Sequence, residues 1–400
     1  MHEPHIVTPM SDVQRLLPNV LQGKSSIYNA MSAMAKEYGA ADLAQGFPTI
    51  EGPASVRAHA AKALLDGPQQ YTDPRGIRAL RLALCADAKA RYDADLDPDT
   101  QITVAAGAQG ALTGAMLGLL SAGDEVVFIE PFYNPVVPLA RLSGATVKFV
   151  ALRAPNFALQ EDELLEQMSE KTKLIVYNSP NNPSGHVFSR DELMMLARAC
   201  ERFDAYLIAD EVYEHLVYPG HTHISALEIP ELRDRCVVIS SFSKTFLMTG
   251  WRIGWALGAA PLIAGIQKFT ELAYFCVPPF LSEGARFAIE ELPKEYLTSF
   301  ASEHLRKRDL LCNGLQALGL DVLVPQGTFF CSINIENLVD DDDLAFCLRL
   351  PKDVGVAAVP MSLSWHKRRE ARHLIRLCFA KEDETLHQAI DAFARWMETR

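Results

Sequence analysis

One lysine in this chain has chemically suggestive neighbours: Ser241-Phe-Ser243-Lys244-Thr-Phe-Leu-Met248-Thr-Gly250-Trp251-Arg252-Ile-Gly254. An apolar run, Cys236-Val-Val-Ile-Ser240, leads into it. An amine held in such a Ser- and Gly-rich turn can form a Schiff base with an aldehyde cofactor. Ser241 and Arg252 are donors suited to a phosphate on that cofactor. Alone, the Ser-x-Ser-Lys run would read as a loop with a solvent-facing lysine. Its extension to Gly-Trp-Arg shifts the reading toward chemistry.

Other residues extend the pattern. Asp210 closes the apolar run Ala205-Tyr-Leu-Ile-Ala209 and should be largely buried. A buried carboxylate is costly unless a cation pairs with it, and a protonated ring nitrogen is one such cation. A helix cap or an internal ion pair is the structural alternative. Tyr213, and Asn182 within Asn178-Ser-Pro-Asn-Asn-Pro-Ser-Gly185, could hydrogen-bond a phenolic oxygen on the same ring. Gly107-Ala108-Gln109-Gly110 opens an Ala-, Leu- and Met-rich stretch whose first amides would suit a phosphate. Tyr133, after Glu130-Pro131, could lie on a flat ring or fill a contact of its own loop. Arg376, in Leu374-Ile-Arg376-Leu-Cys-Phe379, places a planar fork in an apolar run, suited to a substrate carboxylate or an internal acid. An amine, a phosphate cradle and a partner for a ring nitrogen are what pyridoxal phosphate requires of a protein.

The elements that position these groups are also readable. Ile102-Thr-Val-Ala, Glu125-Val-Val-Phe-Ile129, Leu174-Ile-Val-Tyr177, Ala205-Tyr-Leu-Ile-Ala209 and Val237-Val-Ile-Ser240 read as strands alternating with helical patterns. That alternation implies an α/β architecture with a mainly parallel sheet. Each run leads into one of the polar loops above, and ligands of open α/β sheets bind beyond the carboxyl ends of the strands. One site could therefore collect all five loops. A helix is expected over Ser25–Tyr38, with a break at Gln45-Gly46-Phe47-Pro48. The reading divides the chain into an arm (1–48), a large domain (49–292) and a smaller α+β domain (293–400).

Composition narrows the classes. With 49% apolar and 22% charged residues, the chain has an ordinary globular balance. A net charge of −12 without any Lys/Arg block argues against nucleic acid as a partner. The eight cysteines form no C-x-x-C pair and read as reduced core thiols. Met1-His-Glu-Pro-His lacks a basic segment followed by an apolar one, and no run approaches a membrane span, so a cytoplasmic location is expected. No metal is expected. His221-Thr-His223 reads as a pair of surface histidines, and Asp340-Asp-Asp-Asp343 as a solvated helix start.

Assembled in order, Asn-Pro-Ser-Gly, Asp-Glu-Val-Tyr, Ser-x-Ser-Lys and Gly-Trp-Arg resemble the class I/II aminotransferases of the fold-type I pyridoxal-phosphate enzymes. The resemblance implies a seven-stranded sheet in the large domain and a homodimer. It implies that Lys244 carries the cofactor as an aldimine and moves a substrate proton. Asp210 would pair with the ring nitrogen, while Tyr213 and Asn182 would hold the phenolic oxygen. Ser241, Arg252 and the Ala108 and Gln109 amides would bind phosphate, with Tyr133 stacked on the ring. Tyr71, in Gln70-Tyr-Thr-Asp-Pro-Arg-Gly76, would reach the phosphate of the neighbouring subunit. Gly46 and Arg376 would grip the substrate carboxylate, with Asn182 assisting. Ala44-Gln-Gly-Phe-Pro48, Val356–Ser362 and Arg376–Lys381 look most like the kynurenine/glutamine and methionine aminotransferases, which implies large neutral or aromatic amino donors. The chain departs from that group at Thr49-Ile50, Asn134-Pro-Val-Val and Gln109-Gly110. Two alternatives stand beside transamination: β-elimination or other chemistry on the same cofactor, and a non-catalytic regulator with this fold.

Overall fold

The computed structural model describes residues 27–399; Ser25 and Ser26, where the first expected helix begins, lie outside them. The chain forms two compact units. The small one comprises the described residues up to Thr49, Arg306–Pro325 and those from Phe329 onward; the large one comprises Ile50–Leu305 with Gln326–Thr328.

Helix α1 (Ile27–Tyr38) and strand β1 (Ala41–Asp42) open the small unit. The large unit begins with α2 (Ala54–Asp66), α3 (Arg78–Tyr92), β2 (Ile102–Ala106), α4 (Gly107–Leu119), β3 (Glu125–Glu130), α5 (Val136–Leu142) and β4 (Thr146–Ala151). It continues through α6 (Glu161–Gln167), β5 (Thr172–Asn178), α7 (Arg190–Phe203), β6 (Tyr206–Asp210) and β7 (Cys236–Ser241). Then come α8 (Phe242–Thr245), β8 (Ile253–Gly258), α9 (Ala260–Tyr274) and α10 (Pro279–Glu291). Helix α11 (Glu295–Ala317) leaves the large unit, its residues from Arg306 belonging to the small one. The small unit closes with β9 (Asp321–Leu323), β10 (Phe330–Asn334), α12 (Asp343–Asp353), β11 (Val356–Ala357), β12 (Val359–Pro360), β13 (Leu374–Cys378) and α13 (Asp383–Glu398).

The large unit is built on a seven-stranded sheet ordered β2-β8-β7-β6-β5-β3-β4. All neighbours pair in parallel except β8, which runs antiparallel to both β2 and β7. Chain length explains the exception. Only residues 242–252 separate β7 from β8, and a parallel return needs a crossover of a dozen residues or more. The strand therefore turns straight back, leaving Lys244 and Arg252 in the turn. The five strands expected from sequence are β2, β3, β5, β6 and β7. Strand β4 is a half-exposed edge, and β8 carries two glycines, so neither shows a clean apolar run. One face of the sheet is sealed by α4 and α9: Ala111, Leu112, Ala115 and Met116 pack with Ile263 and Ile266 against Phe128, Ile239 and Ala256. Burial of this kind stabilises at about 25 cal/mol per Å² of apolar surface.

The small unit carries an antiparallel sheet, β12-β13-β10-β9, and a parallel pair, β1-β11. Helix α12 begins as the aspartate run suggested, with the Asp342 carboxylate accepting the Ala345 N–H at 2.8 Å. Asp343, however, is not solvated; it is 1% exposed and accepts the Ser362 N–H at 2.7 Å. Six of the eight cysteines are buried. Among the described residues, no helix is long and apolar enough to cross a membrane.

Candidate active site

The carboxyl ends of the parallel strands fall along one edge of the large sheet. Register ties them together: Asn178 pairs with Asp210, Asp210 with Ile239, and Ser241 with Gly254. The loops leaving β5, β6 and β7 therefore start side by side.

Asp210 is 8% exposed, and its carboxylate accepts the Val212 N–H at 3.3 Å. Burial lifts its carboxyl to about 7, opposed by that N–H and by the Lys244 ammonium. Lys244 lies in the single turn of α8, half-buried, with its Nζ 5.7 Å from the centroid of the Tyr213 ring. Tyr213 itself is 3% exposed. Asn178 links two loops: its Nδ2 donates to the Asp210 carbonyl at 2.8 Å, and its Oδ1 accepts the Asn182 N–H at 2.7 Å. Leu112, Phe128, Phe132, Tyr133, Asn178 and Asp210 line a shared concavity.

A second cluster lies where β2 meets α4. Arg252 adopts a left-handed backbone with φ 56°, and its guanidinium donates to the Thr249 carbonyl at 3.0 Å and to the Ala106 carbonyl at 3.5 Å. Gly107 has φ +69°, and a Cβ there would lie 2.4 Å from Arg252 Nη2. Only glycine combines that φ with so close an approach. A Cβ on Gly254 would likewise lie 2.5 Å from the Ala108 nitrogen. The amides opening α4 and the Arg252 fork are thus packed together, an arrangement that attracts anions through the helix terminus and the fixed charge. Ser241 caps α8 by accepting the Ser243 N–H at 3.3 Å. Tyr71 is 83% exposed, with its ring edge-on to Phe275 at 5.1 Å.

In the small unit, Arg376 and Gly46 come together. Arg376 is 2% exposed, donates to the Ala44 carbonyl at 2.7 Å, and lies 4.2 Å over the Phe330 ring and 5.3 Å over the Tyr28 ring. A Cβ on Gly46 would meet Phe330 at 3.2 Å and Arg376 at 3.4 Å. Lys381 donates to the Phe47 carbonyl at 3.2 Å, so two cations fasten the segment on either side of Gly46.

Comparison with known proteins decides the family. The model for aminotransferase class I and II matches residues 40–393. The chain belongs to the class I and II aminotransferases. It is 36% identical over 376 residues to methionine aminotransferase of Escherichia coli, which covers 92% of this chain and 95% of that one. Kynurenine–oxoglutarate transaminase 3 of Mus musculus is 34% identical over 400 residues, with 93% and 88% covered. The crystal structure of an Escherichia coli protein with methionine aminotransferase function has a TM-score of 0.91 at 35% identity, covering 95% of this chain and 99% of that one. This aminotransferase is therefore a fold-type I, pyridoxal-phosphate-dependent enzyme that transfers amino groups between amino acids and keto acids.

The structure also brings forward residues that the sequence did not single out. Asn178 is legible only as a polar residue ending an apolar strand, a weak signal. The Tyr274 hydroxyl accepts the Ala106 N–H at 3.1 Å, behind the glycine turn of the aminotransferase. Glu214 is buried among Arg91, Tyr92 and Ser240. His223 departs from the surface reading: its side chain is 5% exposed and its Nε2 lies 3.1 Å from the buried Glu211 carboxylate. Among the described residues, no group of three or more His, Cys, Asp and Glu side chains could hold a metal ion.

Proposed function

We propose that this aminotransferase takes its amino group from L-amino acids with large neutral or aromatic side chains, using Lys244 as the reacting amine. The observation that carries the site assignment is Asp210, a buried acid raised to about 7 within the electrostatic reach of Lys244. A carboxyl in that condition gains a partner when a protonated pyridine nitrogen is placed beside it. The cradle of Gly107, Ala108, Gln109 and Arg252 fits the cofactor's phosphate for the packing reasons given above.

Pyridoxal phosphate, when bound, supplies the aldehyde that takes up the amino group and the ring that receives electrons from the substrate Cα. The protein's residues do the rest. Lys244 would hold the cofactor and would move the proton at the substrate Cα. Asp210 keeps a proton on the ring nitrogen. Tyr213 and Asn182 hold the phenolic oxygen, and Tyr133 packs on the ring. Ser241, Arg252 and the Ala108 and Gln109 amides bind the phosphate. Arg376, with Gly46 and Asn182, orients the substrate carboxylate, which a planar fork matches bidentately.

Phe330 and Tyr28, both packed on Arg376, support an apolar or aromatic donor. So do the names of relatives that act on methionine and kynurenine. A homodimer is part of the proposal. It is supported by the exposure of Tyr71 (83%), Leu65 (82%) and Leu272 (75%), apolar groups that a second copy would cover. A cytoplasmic location belongs to the same reading. The test is an absorption spectrum with a panel of L-amino acids and no keto acid. Loss of the visible cofactor band, and its return on adding a keto acid, is the expected result and ranks the donors. Keto acid released catalytically without an acceptor would replace transamination by elimination or oxidation.

A further inference from the structure

Four residues beyond Asp210 there is another buried acid that the proposed mechanism leaves unused. Glu214 has a side chain 5% exposed, and it collects donors from two other elements. The Ser240 hydroxyl donates to Oε1 at 2.6 Å. Arg91 Nη2 lies 2.8 Å from Oε2, and the Tyr92 hydroxyl donates to the same oxygen. Arg91 is itself stacked 4.5 Å from the Tyr92 ring centroid and lies 3.2 Å from Asp87, so the end of α3 is ordered around the acid. His215, alongside, is held neutral: burial lowers its imidazole to about 4.

The placement of this cluster is informative. Glu214 directly follows Tyr213 in the loop that begins at Asp210. Ser240 directly precedes Ser241, which caps the turn carrying Lys244. The bond between them joins the loop that follows Asp210 to the end of β7, which leads into the turn carrying Lys244. We propose that Glu214 is a positioning residue, which through Ser240 sets the spacing between Asp210 and Lys244 and is itself anchored by Arg91 and Tyr92. Small displacements of reacting groups are costly in rate, and a carboxylate with several charge-assisted bonds is a stiff tether. The inference rests on the roles proposed above for Lys244 and Asp210.

The test uses the holoenzyme and three substitutions. Ser240→Ala removes one oxygen from the tether and is the variant least expected to disturb folding; Glu214→Gln removes the charge, and Lys244→Ala is the control. The expected result is a fall in kcat of about fivefold to tenfold in Ser240→Ala and in Glu214→Gln. KM for amino acid and keto acid should stay within about twofold, and the pH midpoint of the visible cofactor band should shift. The double variant should be no slower than the slower single one, because both changes cut the same link. A merely structural role predicts a lower melting temperature with kcat and the band midpoint unchanged in Ser240→Ala, and that result would overturn the inference. If Glu214→Gln fails to fold, Ser240→Ala still decides. If Lys244→Ala keeps both band and activity, the site assignment itself fails; if it loses both while Ser240→Ala is silent, only the tether fails.

Discussion

Asp210 and Glu214 are both buried acids of one loop, yet their surroundings hold them in opposite states. Burial lifts Asp210 to about 7, with the Val212 N–H and the Lys244 charge as partial compensation. Glu214 suffers the same desolvation, but the Arg91 charge and the Ser240 and Tyr92 hydroxyls overcome it and hold its carboxyl at about 2. The difference lies in donor supply. Where three side chains converge, the acid is a fixed anion that fastens structure; where they are withheld, it is an acid waiting for a cation. That contrast is the physical basis for proposing Asp210 as the group that answers to a ligand and Glu214 as one that orders the frame.

The most severe way to test the contrast is to remove the amine that Asp210 faces. Lys244→Ala should abolish the visible cofactor band and lower kcat by roughly 10⁴-fold, as the roles proposed for it, reacting amine and proton carrier, imply. Steady-state kinetics with the best donor checks it, and an active variant would remove the reason for reading Asp210 as a functional acid.

Asp210→Asn comes next. We expect kcat to fall by about 10²- to 10³-fold, the scale of losing one strategically placed electrostatic partner. The same variant sharpens the comparison through stability. In the unfolded chain Asp210 ionises near 3.8 and in the folded apoprotein near 7, so between those values the folded state holds the extra proton. The apoprotein should therefore lose stability as pH rises through that window, and Asp210→Asn should show less of that loss. Added cofactor should restore the wild type at neutral pH. Denaturant titrations of apoprotein at pH 5 and pH 7.5 decide the point.

Arg376 tests whether the contrast extends to cations of the small unit. Arg376→Met should lower kcat/KM by about 10- to 100-fold for amino acids and keto acids alike, the scale of one charge-assisted contact. Cofactor affinity, measured by titrating apoprotein, should be unchanged. A variant that lost cofactor instead would mean that Arg376 serves the cofactor.

The smallest effect concerns Glu214 in acid. Its folded value of about 2 lies below the ordinary 4.5, so its stabilising contribution is present above about 4.5 and is lost as pH falls toward 2. Glu214→Gln should therefore be less stable than wild type at pH 7, with the gap narrowing in acid. A gap that did not change with pH would mean that packing, not charge, makes the cluster stable.

Much of this was legible in the residues. Strands β5, β6 and β7 announce themselves as apolar runs because both faces are covered, and the polar residue ending each run is where the sheet stops and the site begins. Asp210 stood out for that reason, and Tyr213, Lys244 and Arg252 for the motifs that follow the strand ends. Strand β8 did not, since Gly254 and Gly258 interrupt it for the sake of close backbone contacts that no local pattern reveals. The burial of His223 has no local signal, because its partner, Glu211, lies across a loop. Glu214 was passed over because Tyr92 lies 122 residues away and Ser240 lies 26.

The sequence by itself determined which candidate reactive groups this aminotransferase possesses and which five apolar strands lead into their loops. Those properties follow from local composition; the return of the chain through β8, and the order of the strands in the sheet, appeared only in the structure. The tertiary structure alone decided what each group is. Asp210 and Glu214 are alike in sequence, both acids near the end of an apolar run. Their charge is set by donors that folding brings from distant elements, and a proton's affinity depends on distance in space rather than along the chain.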